Sequence, residues 1–146
     1  MFGQTVKRLV RRRVTLRKVR RRRTWTAAQR MHYADHKEAA RALCHERLEY
    51  WNQFYNLPYN RVAIRNTRSR WGSCSSKGNL NFNYRILFLP PELQDYLIVH
   101  ELCHLQEMNH AAQFWALVAQ QRPNYQQEIK ALRSIERQIF SGIITT

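Results

Sequence analysis

The run His100-Glu101-Leu102-Cys103-His104 brings two imidazoles and a carboxylate together at a spacing that suits a metal ion. Residues four apart on an α-helix project from the same face, about one turn apart. Two histidines so placed can both reach one Zn²⁺, whose bonds to imidazole nitrogen are about 2.0–2.1 Å long. Glu101 is rotated about 100° from His100, so it need not ligate and can instead take a proton from water held by the ion. The chemistry such a set supports is metal-assisted hydrolysis.

A catalytic zinc generally has three protein ligands and one open position. His110 is the candidate for the third. A straight continuation of the helix would carry it about 9 Å along the axis from His104. It can therefore ligate only if the helix ends and the chain turns back, a turn that Asn109 could support in the left-handed conformation. The fallback is a carboxylate from a later helix, Glu128 or Glu136. Cys103 points about 100° away from His104 and is expected in the core; as a ligand it would close the site and make it structural. His32 and His36 share the i, i+4 spacing, but no Glu follows His32 and the run around them is polar, so they read as an ordinary helix-surface pair.

The elements that must position these groups follow from patterning. Thr26-Ala27-Ala28-Gln29 has capping-box spacing. Ala39, Ala40, Leu43, Cys44, Leu48, Trp51 and Phe54 recur at steps of three and four. They predict one long amphipathic helix, or two joined near Asp35, ending near Asn56 because Pro58 forbids continuation. Val62 and Ile64 alternate with Arg61, Ala63 and Arg65, which predicts a short half-buried strand over 61–66. A Gly/Ser-rich loop follows over 71–78, in which Gly72 and Gly78 are expected to serve turns. Leu80, Phe82 and Tyr84 then alternate with Asn79, Asn81, Asn83 and Arg85, a strand with one core face and one row of amides. Pro90-Pro91 ends it and opens a helix over 91–106 that carries the metal run; helices over 111–121 and 124–139 complete the chain.

The amide-faced strand is expected to hold an extended polypeptide substrate, partly by backbone pairing. Asn81, Asn83 and Tyr84 on that strand, with Arg70 and Trp71 from the loop before it, are the substrate-binding candidates. Tyr84, Arg70 and Asn81 are also candidates for stabilising an oxyanion. Trp71 is expected chiefly to cover the core.

The chain has 146 residues and a formal charge of +15. Residues 1–23 hold eleven Lys or Arg and no acid, whereas 24–146 hold fourteen against ten acids, so the excess sits at the N-terminus. Residues 1–25 therefore read as a basic extension, 26–140 as the folded domain and 141–146 as a tail. Residues 7–23 are either a solvated tail or an arm contacting nucleic acid or the ribosome; an Arg-rich, acid-free start also resembles an organellar transit peptide. No apolar run approaches the roughly 20 residues needed to span a bilayer. Three cysteines, Cys44, Cys74 and Cys103, give no disulfide framework and suit a cytoplasmic compartment. Nothing in the sequence sets an oligomeric state.

The chain resembles the YgjP-like zinc metallopeptidases, related to the SprT-type zincins. The resemblance is carried by Arg70-Trp71-Gly72-Ser73-Cys74-Ser75, Asn79-Leu80-Asn81-Phe82-Asn83, Pro90-Pro91-Glu92, His100 to His104, Met108-Asn109-His110 and Phe114-Trp115. It implies a zincin-like α+β fold, expected here as a small antiparallel sheet on an active-site helix with additional helices. It also implies one Zn²⁺ on His100, His104 and His110, Glu101 as catalytic base, and peptide-bond hydrolysis. SprT-type relatives act on proteins attached to DNA, which extends the same idea to the basic arm. The alternative is a nucleic-acid-associated protein with a structural zinc site and a basic arm.

Overall fold

A computed structural model describes residues 24–140. The basic segment 1–23, with its expected nucleic-acid or ribosome contact, and the tail 141–146 lie outside the described residues.

Helix α1 runs without interruption from Ala27 to Tyr55, so there is no joint at Asp35. Its start is the expected capping box: Gln29 N–H donates to Thr26 Oγ1 and Thr26 N–H donates to Gln29 Oε1. Such a cap is worth about 1 kcal/mol. Its end is set by Asn56, whose φ of 50° is left-handed and whose N–H closes on Asn52 O. Asn52 then bonds both ways with the Leu57 backbone and fixes the exit ahead of Pro58. Ala40, Cys44, Leu48 and Trp51 form the buried stripe, while Phe54 is left exposed.

Strands β1 (Arg61–Arg65), β2 (Gly72–Cys74) and β3 (Asn79–Asn83) form one sheet in the order β1-β3-β2. The sheet is mixed and not purely antiparallel: β1 is parallel to β3, and β2 is antiparallel to it. The loop 66–71 carries the chain past the position of β3 to the far edge. A hairpin through Gly78, at φ 73°, then brings it back into the middle. Val62, Ile64, Leu80 and Phe82 face the core. Strand β3 stops at Asn83, two residues earlier than the alternation suggests, and Tyr84–Phe88 coil into a 3₁₀ turn. The buried Gln94 side chain caps that turn by donating to the carbonyls of Ile86 and Leu89.

Helix α2 (Pro91–Cys103) packs against α1 and against β2 and is buried over most of its circumference. A helix apolar on all sides belongs in a core. Arg47 of α1 ties to it through Asp95 at 2.7 Å. Helices α3 (Ala112–Gln121) and α4 (Tyr125–Ile139) also pack on it. No helix among the described residues is long and apolar enough to cross a membrane.

Candidate metal centre

Helix α2 ends at Cys103, so His100 sits in its last turn and His104 at its C-cap. The chain then turns by short-range bonds, Leu105 N–H to Leu102 O and Gln106 N–H to Cys103 O. Among the described residues only Asn56 and Gly78 have positive φ, so Asn109 does not make this turn through a left-handed conformation. The turn is held by a side chain instead: His104 Nδ1–H donates to Glu107 O at 3.0 Å.

This reversal returns His110 to the other two histidines. The Nε2 atoms of His100, His104 and His110 lie 3.0–3.2 Å from one another. Phe114, in the first turn of α3, supports all three rings, stacking on His104 at 4.4 Å and meeting the others edge-on. Trp115 stacks on His110 and also on Tyr125 of α4. Tyr96 Oη lies 3.1 Å from His100 Nδ1. With Nδ1 of His104 committed to a carbonyl, its Nε2 lone pair is available to a cation.

Burial, helped by the neighbouring histidines, lowers the His100 pKa to about 3, and burial lowers that of His104 as well. Both rings are therefore neutral donors at pH 7. Three lone pairs converging at this distance repel one another unless a cation lies between them. Two nitrogens each about 2.05 Å from one tetrahedral ion lie about 3.3 Å apart, close to the observed separations. A set of three imidazoles suits zinc among common ions. Among the described residues no other His, Cys, Asp or Glu joins this cluster. Glu128 is ion-paired with Arg122, which removes it as the fallback ligand.

Glu101 is buried, and its Oε2 has no hydrogen-bond partner. Burial raises its pKa to about 8, against a smaller downward pull from the Arg70 charge. Gly72 of β2 makes room for it: a Cβ built there would stand 2.6 Å from Glu101 Oε1. Gly72 is thus required for close approach and not for a turn. Within the Gly/Ser-rich run 71–78 nothing distinguishes this glycine from a turn residue. Its partner, 29 positions along the chain, could not be read from spacing.

The substrate-binding candidates separate. Arg70 is exposed, and its charge acts on Glu101. Asn81 faces outward on the sheet, bonded to Ser73 Oγ and Arg65 Nε. Asn83 is buried, its amide donating to Thr67 and to Arg70 O, so it holds a loop instead of facing a substrate. Tyr84 is 2% exposed with its hydroxyl on His32 Nδ1, a core position that removes it both as a substrate contact and as an oxyanion donor. Trp71 is buried against Phe140. Strand β3 is central, with both edges paired, so no substrate can pair with its backbone. The edge beside Glu101 belongs to β2, and among the described residues no strand pairs with it.

A mixed α+β fold with a helix-borne histidine cluster beside a small sheet defines the zincin-like class of metallopeptidases. The sequence profile of one family, described as YgjP-like, metallopeptidase domain, matches residues 4–135, and the chain belongs to that family. The match begins inside the segment that charge alone sets apart. Among solved structures, the chain is similar to the metallopeptidase zymogen abylysin of Pyrococcus abyssi, at 26% identity and TM-score 0.51, covering 55% of this chain and 80% of that one. It is also similar to the metallopeptidase zymogen jannalysin of Methanocaldococcus jannaschii, at 22% identity and TM-score 0.48, covering 66% and 96%. No curated protein matches. Membership of a metallopeptidase family implies a bound metal and a polypeptide substrate.

Proposed function

We propose that the protein is a zinc-dependent metalloendopeptidase in which His100, His104 and His110 hold one Zn²⁺ and Glu101 is the general base. The observation that carries this reading is the convergence of the three Nε2 atoms, 3.0–3.2 Å apart, with no fourth ligand among the described residues. A structural zinc would be closed by a fourth ligand; a catalytic one leaves that position open. When bound, the ion would supply Lewis acidity toward water and the scissile carbonyl.

The chain's own groups do the rest. Glu101 Oε2, buried and without a partner, accepts the proton of the attacking water and passes it to the leaving amine. Burial raises the Glu101 pKa in the metal-free protein, and the positive charge of a bound ion would draw it back down and leave the carboxylate able to accept a proton. Tyr96 and the Glu107 carbonyl fix the rings of His100 and His104. The substrate pairs with the outer edge of β2, whose Gly72 lets the peptide and Glu101 share one narrow space.

The test compares wild type with Glu101→Gln. Both are expected to bind one zinc per chain, while hydrolysis of an unfolded protein pool falls about a thousandfold in the variant. Undiminished hydrolysis by Glu101→Gln, or a zinc-loaded wild type that cleaves nothing, would refute the reading.

A further inference from the structure

The sheet carries a charge pattern that hydrolysis at the metal centre does not require. Between Glu49 and Glu92 there is no acidic residue, yet the segment holds Arg61, Arg65, Arg68, Arg70, Lys77 and Arg85. All three strands lie inside this segment. The ion pairs among the described residues are Arg41–Glu38, Arg47–Asp95 and Arg122–Glu128, and none involves the sheet. Arg68 and Arg85 are taken up by the chain itself, through Thr24 O and Trp25 and through Asn66 and Thr67 O, whereas Arg65 bonds within the sheet through Nε alone and the exposed Arg70 stands at the end of the loop before β2.

Arg65 and Arg70 are organised around a cavity. A cavity of about 300 Å³ opens beside the ends of the strands, with Arg65, Thr67, Arg70, Ser73 and Asn81 in its walls. Asn81 Oδ1 accepts from Arg65 Nε at 3.3 Å, and Asn81 Nδ2 donates to Ser73 Oγ at 3.2 Å. This orients Arg65 while leaving its terminal nitrogens, the pair that meets a carboxylate side-on, to face a ligand. The buried Asn83 donates to Thr67 O, Thr67 Oγ1 and Arg70 O, which fixes the loop presenting Arg70.

We propose that this cavity is a specificity pocket for an acidic side chain, Asp or Glu, of the polypeptide substrate; the proposal rests on the peptidase reading above. Gly72 lines the cavity and also lies against Glu101, so a single strand separates pocket from reaction centre. In a peptide laid along the outer edge of β2, alternate side chains point outward, beside Ser73. A nucleic acid fits this face less well. The two rings that line the cavity, Trp71 and Phe82, are buried in the core, and the outward residues on the strands, Arg61, Ala63, Arg65, Ser73, Asn79 and Asn81, include no aromatic ring on which a base could stack.

Arg65 is the residue to change, because Arg70 also acts on Glu101. Zinc-loaded wild type is given a pool of unfolded protein, and cleavage sites are mapped by mass spectrometry. Asp and Glu are expected to be enriched at one fixed position near the scissile bond. Matched peptides with Glu or Gln at that position should differ about tenfold in kcat/KM, as one charge-assisted hydrogen bond predicts. That ratio should fall toward one in Arg65→Gln and reverse toward Lys-bearing peptides in Arg65→Glu; the Gln variant serves if the Glu variant does not fold. Cleavage without acidic enrichment, or a ratio indifferent to Arg65→Gln, overturns the pocket and leaves the peptidase reading intact. A zinc-loaded wild type that cleaves nothing overturns the peptidase reading instead. Fluorescence anisotropy of the same labelled Glu and Gln peptides then decides the pocket, and no preference for Glu overturns it. Arg65-dependent binding of a single-stranded oligonucleotide, with no preference between the peptides, assigns the face to nucleic acid and likewise overturns it.

Discussion

Replacing Gly72 by Ala adds one methyl group at the point where β2 meets Glu101. The new Cβ would lie 2.6 Å from Oε1, 2.8 Å from Cγ and 2.9 Å from Cδ, where ordinary contact begins at 3.4 Å. The shortfall at Oε1 is 3.4 less 2.6, or about 0.8 Å, and all three atoms are crowded from one side, so a rotamer change of the carboxylate alone does not relieve it. Gly72 does not have positive φ, so alanine can adopt its backbone. The fold should survive at a cost of about 1–3 kcal/mol, the usual range for overpacking. The three histidines are untouched, and zinc stoichiometry should stay at one per chain. What moves is the base, by close to an ångström, and a displacement of that size costs about a hundredfold in rate. The assay is kcat and KM on a peptide substrate alongside zinc content and melting temperature. The expected signature is a fall in kcat of about a hundredfold with zinc retained. If Gly72→Ala holds zinc and keeps wild-type kcat, then Gly72 does not set the position of the base, and the reasoning fails.

Three further outcomes follow from the same geometry. His110→Ala removes one of three ligands and the stacking partner of Trp115, so zinc affinity should drop at least a hundredfold in a competition titration against a chelator; unchanged affinity would show that His110 is not a ligand. In the metal-free protein, the Glu101 carboxyl holds its proton up to about pH 8 when folded but only to about 4.5 when unfolded. Its contribution is fully present below pH 4.5 and is lost as pH rises through 8, a swing of up to about 5 kcal/mol. His100 acts oppositely, its lowered pKa adding stability as pH rises from about 3 through 6.5. Because Glu101→Gln removes only the first effect, its melting temperature should exceed that of wild type by more at pH 8 than at pH 5, by about 10 °C or more; parallel melting curves would contradict the burial of a protonated Glu101. Finally, burial raises the pKa of Cys44 and Cys103 to about 12 and that of the half-buried Cys74 to about 11. Native iodoacetamide labelling at pH 8 should modify Cys74 first, and faster labelling of Cys44 or Cys103 would contradict the packing around α2.

The features legible in the sequence are local ones. An i, i+4 pair needs only one helix to become a shared face, so His100 and His104 converge wherever that helix lies. The distance argument for His110 was also local, since it required a reversal within six residues; the reversal is present, but a bond from His104 to the Glu107 carbonyl holds it, not a left-handed Asn109. Alternation in 61–65 and 79–83 reported which side chains face the core but not which strand lies beside which. Strand order is fixed by the path of the loop 66–71, and nothing periodic encodes that path. This is why the row of amides misleads. It belongs to a central strand, and its last amide, Asn83, turns inward where the strand gives way to the 3₁₀ turn.

The same reasoning explains why Gly72 matters out of proportion to its size. Strand β2 has only three residues, and its first, Gly72, both lies against Glu101 and lines the arginine-bearing cavity. A larger residue would push the base and disturb the strand that walls the pocket. Base placement and the proposed choice of substrate therefore cannot be tuned independently at this position. Selectivity has to be adjusted farther out, at Arg65, which lines the pocket, is oriented by Asn81 and is not among the charges that act on the base. On this argument, substitutions at Arg65 should change which peptides are cut, whereas substitutions at Gly72 should change how fast any peptide is cut.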